Sequence, residues 1–193
     1  DRCHTLQGMV LPSRTYPGAT LAARYARIND NHTQRCTLAV LPIRILGDPA
    51  LRQKAKRVPS ALLRAGPKID ASIHKLIEDM IDSMRAASGV GLAAPQIGVS
   101  LRVIVIGLPD EEPFALINPE IVKRSGERPV EEGCLSLPGY RAELTRSLTV
   151  LVKGLDAEGR PVRIKARDDP STGLRAGLLA QVLEHEIDHI NGI

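Results

Sequence analysis

The chain has 193 residues and a mass of 20.9 kDa, which suits one domain, or one domain with an appendage. With 43% hydrophobic and 25% charged residues it is neither collagen-like, low-complexity nor wholly disordered, and no apolar run approaches the roughly 18 residues that span a bilayer. One Phe, three Tyr and no Trp imply an aliphatic core with little scope for base stacking, and a net charge of +4 with a pI near 9.2 is a mild bias toward polyanionic neighbours.

Residues 1–38 carry Arg2, Arg14, Arg24, Arg27 and Arg35 against only Asp1 and Asp30, with turn-formers at Pro12, Pro17 and Gly18. This Arg-rich, acid-poor stretch reads as a poorly ordered extension or the remnant of an organelle targeting segment. A chain that opens on Asp1 rather than Met is itself expected to be processed or a fragment. The texture turns globular at Ala39. Asp70 is placed to cap a helix with an apolar stripe of Ile73, Leu76, Ile77, Met80, Ile81 and Met84, ending just before Gly89. Leu101–Ile106 is short and β-branched, a strand with little exposed face. Phe114–Val122 predicts a second strand, interrupted at Pro119. Leu148–Leu155, the turn Asp156-Ala157-Glu158-Gly159 and Pro161–Ala166 predict a β-hairpin. A polar loop from Arg167 to Gly173 leads into a final helix from about Leu174 to Asn191. The order of elements predicts an α+β domain, residues 39–193, whose antiparallel β-sheets wrap around the C-terminal helix, with a further helix nearer the N-terminus.

Cys3, Cys36 and Cys134 are odd in number and widely spaced, which argues against a disulfide framework and for a reducing compartment. The final helix holds His185-Glu186-Ile187-Asp188-His189. Residues four apart share a helical face, so both imidazoles can converge on one metal ion, and Glu186 beside them can take a proton from a water held there. Chance gives H-E-x-x-H in roughly one chain of this length in a hundred. Only Ile190, Asn191, Gly192 and Ile193 follow, none of them a good ligand, so a third ligand is sought upstream. Cys134, in Glu132-Gly133-Cys134-Leu135-Ser136, is the candidate, since thiolate is a strong ligand for a divalent metal. The segment Gly89-Val90-Gly91-Leu92-Ala93-Ala94-Pro95-Gln96 lacks the Lys-Ser/Thr of a phosphate loop. Its small residues would admit a substrate close to the backbone, and Gln96 offers an amide donor to a developing oxyanion.

Taken in order, these three segments resemble peptide deformylase, whose motifs are Gly-x-Gly-x-Ala-Ala-x-Gln, Glu-Gly-Cys-Leu-Ser and His-Glu-x-Asp-His. The resemblance runs from about Ala39 to Ile193. It implies removal of the formyl group from formyl-methionine of newly made polypeptides, with release of formate. It further implies that Cys134, His185 and His189 are the metal ligands, with water as the fourth. The metal would be one divalent ion, Fe²⁺ in the cell, with Ni²⁺, Co²⁺ or Zn²⁺ also able to serve. Glu186 matches the general acid/base, and Gln96 and the backbone N–H of Leu135 match the oxyanion stabilisers. Gly91 matches a contact to the substrate main chain and Arg141 a more distant one. Val90, Leu178 and Val182 match the lining of the methionine pocket, and Glu132 and Arg146 a supporting ion pair.

Four features depart from the family pattern: the N-terminal extension, the long Arg167–Arg175 connection, Gln181 where the pocket side of the helix is commonly apolar, and the end at Ile193, after which relatives normally continue. The expected partners are N-formyl-methionyl nascent peptides and, transiently, the ribosome, with neither DNA nor a membrane involved. The expected location is the bacterial cytoplasm, or an organelle stroma or matrix if residues 1–38 are a transit remnant. Two other readings compete. A general H-E-x-x-H metallo-endopeptidase leaves Cys134 and the Gly-rich segment unexplained. A catalytically inactive ribosome-binding homologue leaves all three motifs unexplained.

Overall fold

The computed structural model describes residues 40–63, 69–167 and 174–193. The expectations for residues 1–38 and for the Arg167–Gly173 loop therefore fall almost wholly outside the described residues. A short helix α1 (Ser60–Leu63) precedes the longer α2 (Ala71–Ala86). Seven strands follow: β1 (Gly91–Ala93), β2 (Val103–Ile106), β3 (Phe114–Ser125), β4 (Arg128–Cys134), β5 (Leu137–Arg146), β6 (Thr149–Leu155) and β7 (Pro161–Arg167). The final helix α3 runs from Leu174 to Asn191. The strands form a five-stranded sheet, in the order β1-β2-β3-β6-β7, and a separate β4-β5 hairpin, all antiparallel.

Residue alternation along the large sheet sends its side chains to two different cores. Ile104 and Ile106 of β2, Leu116 of β3, and Val150 and Val152 of β6 pack with Val182, Leu183, Ile187 and Ile190 of α3. Val103, Val105, Ala115 and Ile117 point the other way, against Ile73, Ile77, Met80 and Met84 of α2. One sheet thus separates two helices, and α3 lies on the face where the chemistry is built. Buried Arg102 fixes the end of α3 by donating to the carbonyl of Ile190 at 3.4 Å and to Asn191 Oδ1 at 2.9 Å. A cation there also complements the helix dipole. The Ala55 N–H adds a 2.9 Å bond to the same Ile190 carbonyl.

Three local expectations change. The helix after Asp70 forms as its spacing predicts, with Asp70 Oδ1 accepting from the Ser72 N–H at 2.8 Å. Its left-handed exit residue, however, is Ser88 (φ 54°), not Gly89. Gly89 answers a different demand, because a Cβ there would lie 2.7 Å from Leu135 Cδ1. Pro119 bends the second predicted strand without ending it: the register with β6 shifts between Ile117 and Glu120, Asn118 takes φ 53°, and β3 continues to Ser125. The β4-β5 hairpin has no counterpart among the predicted elements. β5 is exposed along nearly its whole length, so it lacks the apolar alternation that marks a half-buried strand.

Candidate metal centre and active site

Three elements meet at one place. The β4-β5 hairpin has a register shift between Gly133 and Cys134, so Cys134 pairs with Leu137 at the end of the ladder, where the two histidines of α3 meet it. Cys134 Sγ lies 3.2 Å from His189 Nε2, and the ligand atoms of Cys134, His185 and His189 lie within 4.8 Å of one another. The two imidazoles stand edge to face, centroids 4.8 Å apart, as residues one helical turn apart can.

Behind them runs a chain of charges. Glu132 Oε2 is 2.9 Å from His185 Nδ1, so this nitrogen donates to the carboxylate and Nε2 is left to face Cys134 and His189. Glu132 in turn accepts from Nε and Nη2 of Arg146, both at 2.8 Å, a bidentate pair. The third nitrogen of Arg146 donates to Asp188 Oδ2 at 2.6 Å. Burial pushes the Glu132 carboxyl up, but hydrogen bonds from Arg146 and His185 outweigh it and bring it down to about 2. Burial likewise raises the Cys134 thiol, and the contacts from His185 and His189 outweigh that, lowering it to about 5. The sulfur is therefore a thiolate at neutral pH. Burial acts to lower His185, but its contacts to Cys134 and Glu132 hold it well above the ordinary imidazole range.

Glu186 is 4% exposed, and burial, opposed by His189 and His185, pushes its carboxyl up to about 7. Its Oε2 is buried without a hydrogen-bond partner. The carboxylate reaches the cavity wall only because residue 91 is glycine: a Cβ there would collide with Glu186 Oε1 and lie 2.8 Å from Val182 Cγ1. Gln96 is 1% exposed, on a 3₁₀ turn (Ala94–Ile97) that follows β1. Its Oε1 accepts from the Ala93 N–H at 2.8 Å. That contact orients Nε2 toward Ser136 Oγ at 3.1 Å and Cys134 Sγ at 3.7 Å. The amide thus has one end fastened to the sheet and its donor end in the site.

A cavity of roughly 820 Å³ opens beside this cluster. Val90, Gly91, Gln96, Cys134, Leu135, Arg141, Leu178, Val182, His185 and Glu186, all candidates from sequence, line it. His189 lines a second, adjoining hollow of roughly 570 Å³ that shares Cys134 and His185 with the first. Arg141 sits at the exposed rim, paired with Glu131 Oε1 at 2.7 Å. Gln181 also lines the larger cavity, donating to the Glu131 carbonyl at 3.3 Å. Sequence reasoning missed two contributors. Ser136 holds the Gln96 amide, and its place inside Glu132–Ser136 was the available signal. Asp188 holds Arg146 across 42 residues, a pairing with no local signature.

The donor set suits a metal. One thiolate and two imidazoles match borderline transition ions rather than Mg²⁺ or Ca²⁺, and three protein ligands leave a coordination position open. Glu186, whose Oε2 is buried without a hydrogen-bond partner, lines the same cavity as Cys134 and His185 and is the polar group such chemistry calls for. The sequence profile of polypeptide deformylase matches residues 40–193. The chain belongs to the polypeptide deformylase family. It is 52% identical over 157 residues to the peptide deformylase of Dehalococcoides mccartyi strain CBDB1, covering 81% of this chain and 84% of that one. It superposes on the peptide deformylase of Legionella pneumophila with a TM-score of 0.68 at 46% identity, covering 80% of this chain and 82% of the other. The peptide deformylase of Synechococcus elongatus, solved in complex with actinonin, gives 0.69 at 39% identity over 80% and 78% of the two chains. As a deformylase the protein is a metal-dependent hydrolase that removes the formyl group from N-terminal methionine of nascent polypeptides. The endopeptidase and inactive-homologue readings give way to that assignment. Among the described residues, no helix is long and apolar enough to cross a membrane.

Proposed function

We propose that residues 39–193 form the catalytic unit and that Cys134, His185 and His189 hold its single divalent cation, Fe²⁺ in the cell, with Ni²⁺, Co²⁺ or Zn²⁺ as substitutes. A cation bound there supplies Lewis acidity, which makes water acidic and the formyl carbonyl electrophilic. Every other part of the reaction falls to the chain. The apolar walls Val90, Leu178 and Val182 receive the methionine side chain, and the backbone at Gly91 meets the substrate main chain. Arg141 at the rim contacts the peptide further along. Glu186 takes the proton from the attacking water and returns it to the departing nitrogen, so that the formyl C–N bond breaks to give formate and a free amine. Gln96 Nε2 and the Leu135 N–H donate to the oxygen that gains charge as the carbonyl becomes tetrahedral. Glu132, Arg146 and Asp188 keep His185 in the orientation that aims Nε2 inward.

The observation that carries this reading is the buried Glu186 carboxylate, its Oε2 without a hydrogen-bond partner, in the same cavity as members of a Cys-His-His triplet. The enzyme acts on nascent chains at the ribosome, which it meets transiently, in the bacterial cytoplasm. Metal-loaded, anaerobically purified protein should release formate from a formyl-methionyl tripeptide and leave internal peptide bonds intact. Cleavage of internal bonds without formate release would overturn the proposal.

A further inference from the structure

The outward face of the large sheet is covered only in part by the described helices. α2 shields the outward side of β1, β2 and the first half of β3, but the outward side of β6, β7 and the end of β3 is bare. Register places its residues in cross-strand rows: Ser125, Thr149 and Arg167; Lys123, Leu151 and Lys165; Glu120, Lys153 and Arg163. Arg57 joins the last row through Glu120, which also pairs with Lys153 at 2.9 Å. Among the described residues, six cations therefore share this face with one carboxylate. Among the described residues, Lys123, Arg163, Lys165 and Arg167 have no carboxylate partner and no acid lines the groove of roughly 540 Å³ around Lys123, Lys165 and Arg167. From residue 40 onward the sequence is close to neutral, with 21 Lys and Arg against 20 Asp and Glu. The accumulation is thus a segregation of charge, not a reflection of overall composition.

We infer that this face docks on the phosphate backbone of RNA. Strands lie roughly 5 Å apart and alternate residues roughly 7 Å apart, so the cations form a grid that several phosphates of one strand can meet together. No aromatic side chain stands in the rows, which removes base stacking and leaves sequence-independent backbone contact. Large rigid anchors typical of protein partners are missing from the rows for the same reason. No residue of β3, β6 or β7 lines the catalytic cavity, so RNA on this face leaves the pocket open. The inference rests on the reading that the enzyme works at the ribosome, where substrate emerges from an RNA-rich particle.

The test is fluorescence anisotropy of a labelled oligouridylate with the full chain and its K123E/K165E/R167E variant. The Arg-rich first 38 residues are common to both, so any difference reads the sheet face. Wild type should bind with an affinity that falls steeply between about 50 and 200 mM salt, and the variant at least about tenfold more weakly. The logarithmic salt slope should shrink by about 2 in the variant, three contacts at about 0.7 each. K123Q/K165Q/R167Q should move in the same direction and serves if the reversed charges impair folding. Equal RNA affinity of wild type and variants, or binding indifferent to salt, would overturn the inference. So would charge-dependent binding to phosphatidylglycerol vesicles with no RNA binding. Formate release from a free formyl-methionyl tripeptide should be equal in all three proteins. If none releases formate while the RNA difference persists, the catalytic reading falls and the docking face stands.

Discussion

At the scale of single residues, the site depends on a carboxylate forced into close quarters. Glu186 reaches the cavity across the bare Cα of residue 91. Gly91→Ala should therefore lower kcat/KM by about 10- to 100-fold and cost about 1–3 kcal/mol of stability, as overpacked interiors do. A steady-state assay and a denaturant titration check the two figures, and unchanged activity would show that Glu186 has room to move. The pH profile gives a second reading of the same group. A base must be deprotonated to act, so kcat/KM should rise with pH through the Glu186 carboxyl and then level. Burial pushes that carboxyl up to about 7, and a divalent cation nearby draws it down again. The acid limb is thus expected at or below about pH 7. A limb well above that value would assign it to another group. The Gln96 amide is a donor fixed by Ala93 and Ser136, and Gln96→Leu should lower kcat by about 100- to 1000-fold without changing metal content.

At the scale of elements, the hairpin and the helix are joined by charge as much as by packing. Arg146 serves two carboxylates from different elements, Glu132 on β4 and Asp188 on α3. Arg146→Met leaves Asp188 without this partner and the Glu132 side chain, only 4% exposed, with His185 alone, and should cost about 3–5 kcal/mol. The sign with pH follows from the lowered Glu132 carboxyl. Its contribution is complete above the ordinary carboxylate value of 4.5 and is lost as pH falls toward about 2. Circular dichroism should show the wild type losing stability across that window, and the variant, already deprived of the contribution, showing a flatter acid slope.

Legibility in the sequence followed the same division. α2 and α3 announced themselves because one face of each is apolar at helical spacing, and β6-β7 because a turn separates two alternating runs. The Glu132–Ser136 segment was legible as chemistry but not as structure: β5 is exposed along most of its length, and nothing local tells a solvated hairpin from a loop. The Arg146–Asp188 bond was illegible for a related reason, since only the finished fold brings residues 42 apart together. Ser88 in place of Gly89 at the end of α2 marks a competition between demands. Close approach to Leu135 required glycine one position past the helix exit, and the exit accepted a serine.

At the scale of the molecule, a single sheet stands between the candidate site and a basic face. Its inner face carries α3 and the site, and its outer face is shared between α2 and a bare grid of cations. Among the described residues the β4-β5 hairpin has no strand pairing to the large sheet, and on the proposed ligation Cys134, His185 and His189 would clasp it to α3. Cation binding should therefore stabilise the whole fold. At a free concentration 100 times its Kd, Ni²⁺ should add about 2.7 kcal/mol, seen as a Tm increase of about 5–10 °C that chelation reverses. Cys134→Ala should abolish that increase.

The most direct test of the catalytic account is formate release by wild type and Glu186→Ala, each carrying one equivalent of metal by elemental analysis. The expected result is full metal occupancy in both proteins with kcat reduced by about a thousandfold or more in the variant. Equal turnover at equal occupancy would contradict the assignment of proton transfer to Glu186.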